Sequence, residues 1–120
     1  MDVLENLEVW KRSCRLSADL YKAVNSSHEF GFKDQITRAA LSIPSNIAEG
    51  FERESAKSRI QYLKIAKGSC GELWTQLLIG QEAGIIDRAI VSRMAREVRE
   101  LSKMLHGLIK YFERELAAGD

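Results

Sequence analysis

The sequence holds one proline, two cysteines and few aromatic residues, and it has no long apolar run and no excess of either charge. Each scarcity excludes something. Without a stretch near the roughly 18 apolar residues that cross a bilayer, no membrane span is expected. Cys14 and Cys70 have no second cysteine or histidine at ligand spacing, so neither a zinc site nor a redox pair is read there. Both are expected to be buried free thiols that pack as small hydrophobes. His28 stands alone and no Glu-x-x-His pair exists, which excludes a di-iron bundle site. Glycine-rich phosphate loops are also lacking, so the expectation is no metal, no cofactor and no catalytic residue. A net charge of +1, from 18 basic and 17 acidic residues, gives no global sign of nucleic-acid binding, and any basic patch must be local. The opening MDVLENLEVWKRS places acidic residues where a secretion signal carries a basic end, so the cytoplasm is the expected location.

What is present is helical periodicity. The mix of 45% hydrophobic and 29% charged residues suits one folded domain over residues 1–120. A chain of this size buries roughly two-thirds of its unfolded surface. The first segment, about Val3 to Asn25, sets Leu7, Trp10, Cys14, Ser17, Tyr21 and Val24 on one face at steps of three and four. Val9, Leu16, Leu20 and Ala23 form a second stripe around its side, which suggests two neighbours. The second segment starts near Asp34, with Ile36, Ala40, Ile43, Ile47 and Phe51 along a face. The third runs from an N-cap at Ser55 to about Glu82, with Leu63, Ala66, Cys70, Leu73 and Leu77 inward. The fourth starts after Asp87 and continues to about Leu116, with Met94, Val98, Leu101, Leu105, Leu108 and Phe112 inward. No strand pattern appears. Short loops make antiparallel neighbours, so the expected fold is all-α, an up-down-up-down four-helix bundle.

The lone Pro44 lies inside the second helix, where it cannot donate to the carbonyl of Ala40 and costs roughly 3 kcal/mol. A kink is expected there, with the hydroxyls of Ser42 and Ser45 placed to satisfy freed backbone groups. Ala39, Ala40, Ser42, Ser45, Ala48 and Gly50 are all small, which permits close approach of a neighbouring helix. Asn46, Glu49 and Arg53 share a polar edge. The structural reading of that edge is hydrogen bonding between helices or subunits, with a Glu49–Arg53 pair; the functional alternative is a catalytic carboxylate and amide.

The segments RAALSIPSNIAEGFERES, YLKIAKGSCGELWTQL and SKMLHGLIKYF, with LEVWKRS near the start, resemble the 23S rRNA intervening-sequence (S23) family. These are bacterial four-helix-bundle proteins to which the accessory variability protein of diversity-generating retroelements is related. The resemblance covers nearly the whole chain, and its motif falls on Ser42, Pro44, Ser45, Asn46, Glu49 and Gly50, read as structural. Similar proteins tend to carry an acidic residue where this chain has Ser58, completing a capping box with Ser55, and an apolar residue in place of Cys70. The resemblance implies a ring-like homopentamer without an established activity. It further implies association with RNA or DNA and a nucleic-acid enzyme such as a reverse transcriptase as partner.

Two surfaces bear on function. In the fourth helix, Arg88, Arg96, Arg99, Lys103, Lys110 and Arg114 fall within an arc of about 80° opposite the apolar face. Six cations on one stripe can track a phosphate backbone; the plain alternative is a solvated face. No aromatic residue that could stack on bases lies within the stripe, so base-specific recognition is not expected. On the third helix, Gln61, Ile65, Gly68, Glu72, Gln76 and Ile79 form an outer face with one charge, poorer than a monomer usually shows. Ile65, Gly68, Gln76 and Ile79, with Val9, Leu16 and Leu20 of the first helix, are therefore the candidate oligomer interface. The expected function is a non-enzymatic, homo-oligomeric nucleic-acid-binding adaptor. The alternative is a scaffold that binds only protein. A remoter one is a metal-independent ribonuclease of the HEPN type, in which His106 acts as base and Arg99, seven residues before it, holds the phosphate.

Overall fold

The computed structural model describes residues 2–119. Among them are five helices and no strand: α1 Asp2–Glu5, α2 Glu8–Val24, α3 Phe30–Glu52, α4 Ala56–Glu82 and α5 Arg88–Gly119. The protein is all-α. Its long dimension of 51 Å is close to the roughly 48 Å of a straight helix as long as α5 at 1.5 Å per residue, so the long helices lie along it. Each of α2 to α5 packs on its sequence neighbours, and α2 also meets α5. Contacts run in opposite order along two of the seams. On α3 and α4, Phe32 meets Gly80 and Gly50 meets Arg59. On α4 and α5, Lys67 meets His106 and Lys64 meets Glu113.

Most of the core comes from the stripes of the last three helices. Ile36, Ile43, Ile47, Leu63, Leu73 and Leu77 are fully buried, as are Val98, Leu101 and Leu105, while Phe51, Leu108 and Phe112 pack on the edge. Each buried aliphatic side chain contributes about 1.5–3 kcal/mol by leaving water.

Helix α2 departs from expectation. Its buried face is Val9, Ser13, Leu16, Ser17, Leu20 and Val24, whereas Leu7, Trp10 and Cys14 are half-buried and Tyr21 is exposed. The core face thus combines Val9, Leu16 and Leu20 of the side stripe with Ser17 and Val24 of the first, while Ala23 is half-buried. The predicted single first helix is also two, because Leu7 adopts an extended backbone before α2. That break carries α1 to where Leu4 is buried at 2% exposure.

Local sequence explains most helix ends. Ser55 caps α4, its hydroxyl accepting from the Ser58 N–H at 3.2 Å, so the cap forms without an acidic residue at position 58. The far end of α4 closes as a Schellman turn. Gly84 adopts a positive φ of 72°, its N–H reaches the Gln81 carbonyl, and the Ile85 N–H reaches the Gly80 carbonyl at 2.8 Å. Asp87 caps α5 by accepting from the Ala89 N–H at 3.2 Å. Helix α3 begins at Phe30, a turn earlier than its apolar period suggests, because Phe32 packs against Gly80 of α4. Tertiary contact there outweighs the weak helix propensity of Gly31.

Candidate nucleic-acid interface

Around Pro44 the polar residues form a clip between α3 and α4. The Asn46 Nδ2 donates to the Ser42 carbonyl at 2.8 Å and to the Ser42 Oγ at 2.9 Å, and that hydroxyl lies 2.8 Å from the Ser69 Oγ. Ser69 donates to the Ile65 carbonyl at 3.2 Å. Only one direction satisfies all of them: amide to Ser42, Ser42 to Ser69, Ser69 to the backbone. The Ser42 hydroxyl thus crosses to α4 and does not serve the backbone near Pro44, and Ser45 is exposed.

The Glu49 carboxylate accepts from Arg53 at 3.3 Å, as its spacing predicts, and Arg53 also donates to the Tyr62 hydroxyl at 2.8 Å. Asn46 and Glu49 are therefore engaged in structural contacts. Gly50 lies at a close helix approach, where a Cβ would sit 3.3 Å from both the Arg59 carbonyl oxygen and the Tyr62 Cβ.

All six cations of the α5 stripe, Arg88, Arg96, Arg99, Lys103, Lys110 and Arg114, are exposed. Among the described residues only Lys110 of the six has a carboxylate partner, Glu113 at 3.5 Å, and it shares that group with Lys64 of α4, also at 3.5 Å. The other five are exposed and have no carboxylate partner among the described residues.

Two clefts flank the stripe. Between α2 and α5 lies one of about 490 Å³ lined by Arg12, Arg15, Asp19, Arg93, Arg96 and Glu97. Within it Arg12 grips Glu97 through two hydrogen bonds of 2.6 and 2.9 Å. Those bonds hold the Glu97 carboxyl below the usual carboxylate range and raise Arg12, against the opposing effect of burial. On the other side, the α4–α5 seam holds a cleft of about 460 Å³ with Lys64, Lys67, Gly68, His106 and Lys110 on its walls. A smaller one of about 280 Å³ lies beside Gly71, Trp74, Arg99 and Ser102.

The second seam was not anticipated. Trp74, 37% exposed, brings an aromatic ring to the border of the cationic stripe from a different helix. A signal was available: Lys64, Lys67, Gly71 and Trp74 repeat at steps of three, four and three, which is one edge of α4.

The candidate oligomer surface is only partly at the surface. Ile65 and Ile79 are 50% and 53% exposed, and Gln76, one turn before Ile79, has a buried Oε1 that accepts no hydrogen bond from the described residues. Gly68 instead borders the α4–α5 cleft. Val9, Leu16 and Leu20 are at most 5% exposed in the single chain, so they form its core and cannot also be a docking face.

Arg99 and His106 share one edge of α5, but two turns separate them by roughly 10 Å, and the His106 Nδ1 lies 3.1 Å from the Lys67 ammonium. Cys70 is buried, which pushes its thiol up to about 12, while Cys14 is only half-buried, with a smaller rise of the same origin. No cluster able to hold a metal occurs among the described residues, and no described helix is long and apolar enough to cross a membrane.

Fold and surface define an all-α protein of packed long helices with one cationic flank and a structural polar clip. The chain belongs to the 23S rRNA-intervening sequence protein family, whose pattern it matches over residues 5–107. A solved protein of unknown function from the S23 ribosomal protein family of Bacteroides thetaiotaomicron is 28% identical, with a TM-score of 0.79 across 85% of this chain and 98% of the other. No match was found among curated proteins.

Proposed function

We propose that this chain is a non-enzymatic, homo-oligomeric bundle, most simply a pentamer, that binds RNA or DNA through phosphates. It then serves as an adaptor for a nucleic-acid enzyme such as a reverse transcriptase, in the cytoplasm. The observation that carries the reading is the α5 stripe, where five exposed cations have no partner carboxylate among the described residues. Such cations release counterions when they meet phosphates, and a ring of copies multiplies the effect. The family name, which refers to intervening sequences of 23S rRNA, favours a nucleic-acid partner. The opposed contact order along the α3–α4 and α4–α5 seams supports an up-down-up-down arrangement in one domain over residues 1–120. The donor missing at Pro44 supports a kink in α3.

Salt-titrated binding to RNA and DNA tests this. Affinity is expected to fall steeply with salt and to differ little between unrelated sequences. Changing Arg96, Lys103 and Arg114 together to Gln should weaken binding and flatten the salt dependence by about three counterions at roughly 0.9 per contact on duplex. Absence of binding near 50 mM salt, a concentration at which phosphate contacts are strong, would favour the second reading. That reading is a scaffold that binds only protein, and the exposed Ile65 and Ile79 favour it. In neither reading is RNA cut. Cleavage lost in the His106→Ala variant would instead establish a ribonuclease.

A further inference from the structure

The α4–α5 seam has more than the cationic stripe requires. Its α4 wall carries Lys64, Lys67 and Trp74, its α5 wall Arg99, His106 and Lys110, and the two clefts of about 460 and 280 Å³ lie along the same line. Gly68 and Gly71 sit between the lysines and the tryptophan on α4, and nothing lies within 4 Å of where their side chains would be. The wall is therefore low in the middle and open along its length. From Lys64 to Trp74 the seam runs roughly 15 Å at 1.5 Å per residue.

Charge in the seam is unbalanced. Among the described residues lining these two clefts, Lys64, Lys67, Arg99 and Lys110 are set against one carboxylate, that of Glu113, which sits between Lys64 and Lys110. The Lys67 ammonium lies 3.1 Å from the His106 Nδ1, a hydrogen-bond contact with no carboxylate in it, so it orients Lys67 without cancelling its charge. At the other end Trp74 is exposed beside Arg99. A positive groove with an aromatic platform at one end is the arrangement that holds single strands, because phosphates follow the cations while an unpaired base stacks on the ring. A duplex keeps its bases paired and has no use for Trp74.

We infer that the α4–α5 seam is a binding groove for single-stranded nucleic acid, with Lys64, Lys67 and Lys110 on phosphates and Trp74 stacking on a base. Stacking of this kind tolerates any base, so the groove is selective for strand state and not for sequence. The inference rests on the nucleic-acid reading above and assigns it a second surface, beside the outer stripe.

The test uses the whole chain with oligothymidylate, oligouridylate and a hairpin duplex as probes. Trp10→Phe leaves Trp74 as the sole tryptophan reporter. Single strands should quench its emission on binding and the hairpin should not. Lys64→Gln with Lys67→Gln should lower the single-strand salt slope by about 1.4, at roughly 0.7 per phosphate. Trp74→Leu should weaken single-strand binding about tenfold, a loss within the range for one stacked base, and leave the slope alone. Circular dichroism and light scattering on each variant show that helicity and mass are retained. If nucleic acid binds but neither change moves its affinity, or the hairpin quenches equally, the groove is wrong and the stripe reading survives. If the variants change the mass and not nucleic-acid affinity, a second copy covers the groove and the inference falls. If no nucleic acid binds at all, both readings fall together.

Discussion

The hydroxyls of Ser42 and Ser69 lie 2.8 Å apart across the α3–α4 seam, and the Asn46 amide feeds the same chain of hydrogen bonds from one turn away. Asn46→Asp tests how much this clip contributes, because a carboxylate cannot donate to either Ser42 oxygen and sets negative charge against a carbonyl. Losing partners in a part-buried network costs about 1–3 kcal/mol. Thermal melting should show a fall of roughly 4 °C per kcal/mol. If the melting point held steady, the motif would have no structural role and the catalytic reading of Asn46 and Glu49 would return.

Gly80 and Gly107 should respond oppositely to the same change. A methyl group at Gly80 would lie 2.8 Å from the Phe32 ring and 2.9 Å from Ile86 Cδ1, where α3 and the α4 turn close on the helix. Overpacking of this kind costs about 1–3 kcal/mol, so Gly80→Ala should unfold at lower denaturant. At Gly107 nothing lies within 4 Å, and alanine there should stabilise α5 by about 0.5–1 kcal/mol through backbone entropy alone. Urea titration of both variants reads the contrast directly.

The two cysteines illustrate what the sequence reveals and what it hides. Cys70 belongs to a stripe with Leu63, Ala66, Leu73 and Leu77 on a helix with one clear apolar period, and it is buried as expected. Cys14 lies on a helix with two apolar stripes, and spacing alone does not say which faces inward. The core face of α2 also includes Ser13, a polar residue that belongs to neither stripe, and its hydroxyl is satisfied there by donating to the Trp10 carbonyl at 2.9 Å. The same limit applies to the surface. The α5 stripe was legible because its six cations share one helix, whereas the Trp74–Arg99 neighbourhood joins two helices and exists only after packing.

Thiol labelling follows from that difference. Burial pushes the Cys70 thiol up to about 12, so at pH near 8 almost no thiolate forms and the sulfur is covered. A disulfide reagent should modify Cys14 in the native protein and reach Cys70 only when denaturant opens the core. Equal native rates at both positions would mean that the α4 stripe opens readily, and the melting transition would then be broad.

Assembly is the last expectation, and the buried face of α2 narrows where to look. Since Val9, Leu16 and Leu20 are enclosed by the chain itself, Leu20→Lys should unfold the monomer and cannot report on subunit contacts. Ile65 and Ile79 are half exposed on one side of α4, and the Oε1 of Gln76, one turn before Ile79, accepts no hydrogen bond from the described residues. Lysine at either isoleucine places charge on a surface that tolerates it in an isolated chain but not in an apolar interface, where an unpaired buried charge is strongly destabilising. Light scattering of the parent should report several times the 13.6 kDa chain mass, and Ile65→Lys or Ile79→Lys should bring it to a single chain with helicity retained. A parent that scatters as one chain would end the oligomer reading. A parent oligomer indifferent to both changes would move the interface to the exposed flank of α2 and α3, where Tyr21 and Leu41 are each about half exposed, at 49% and 48%.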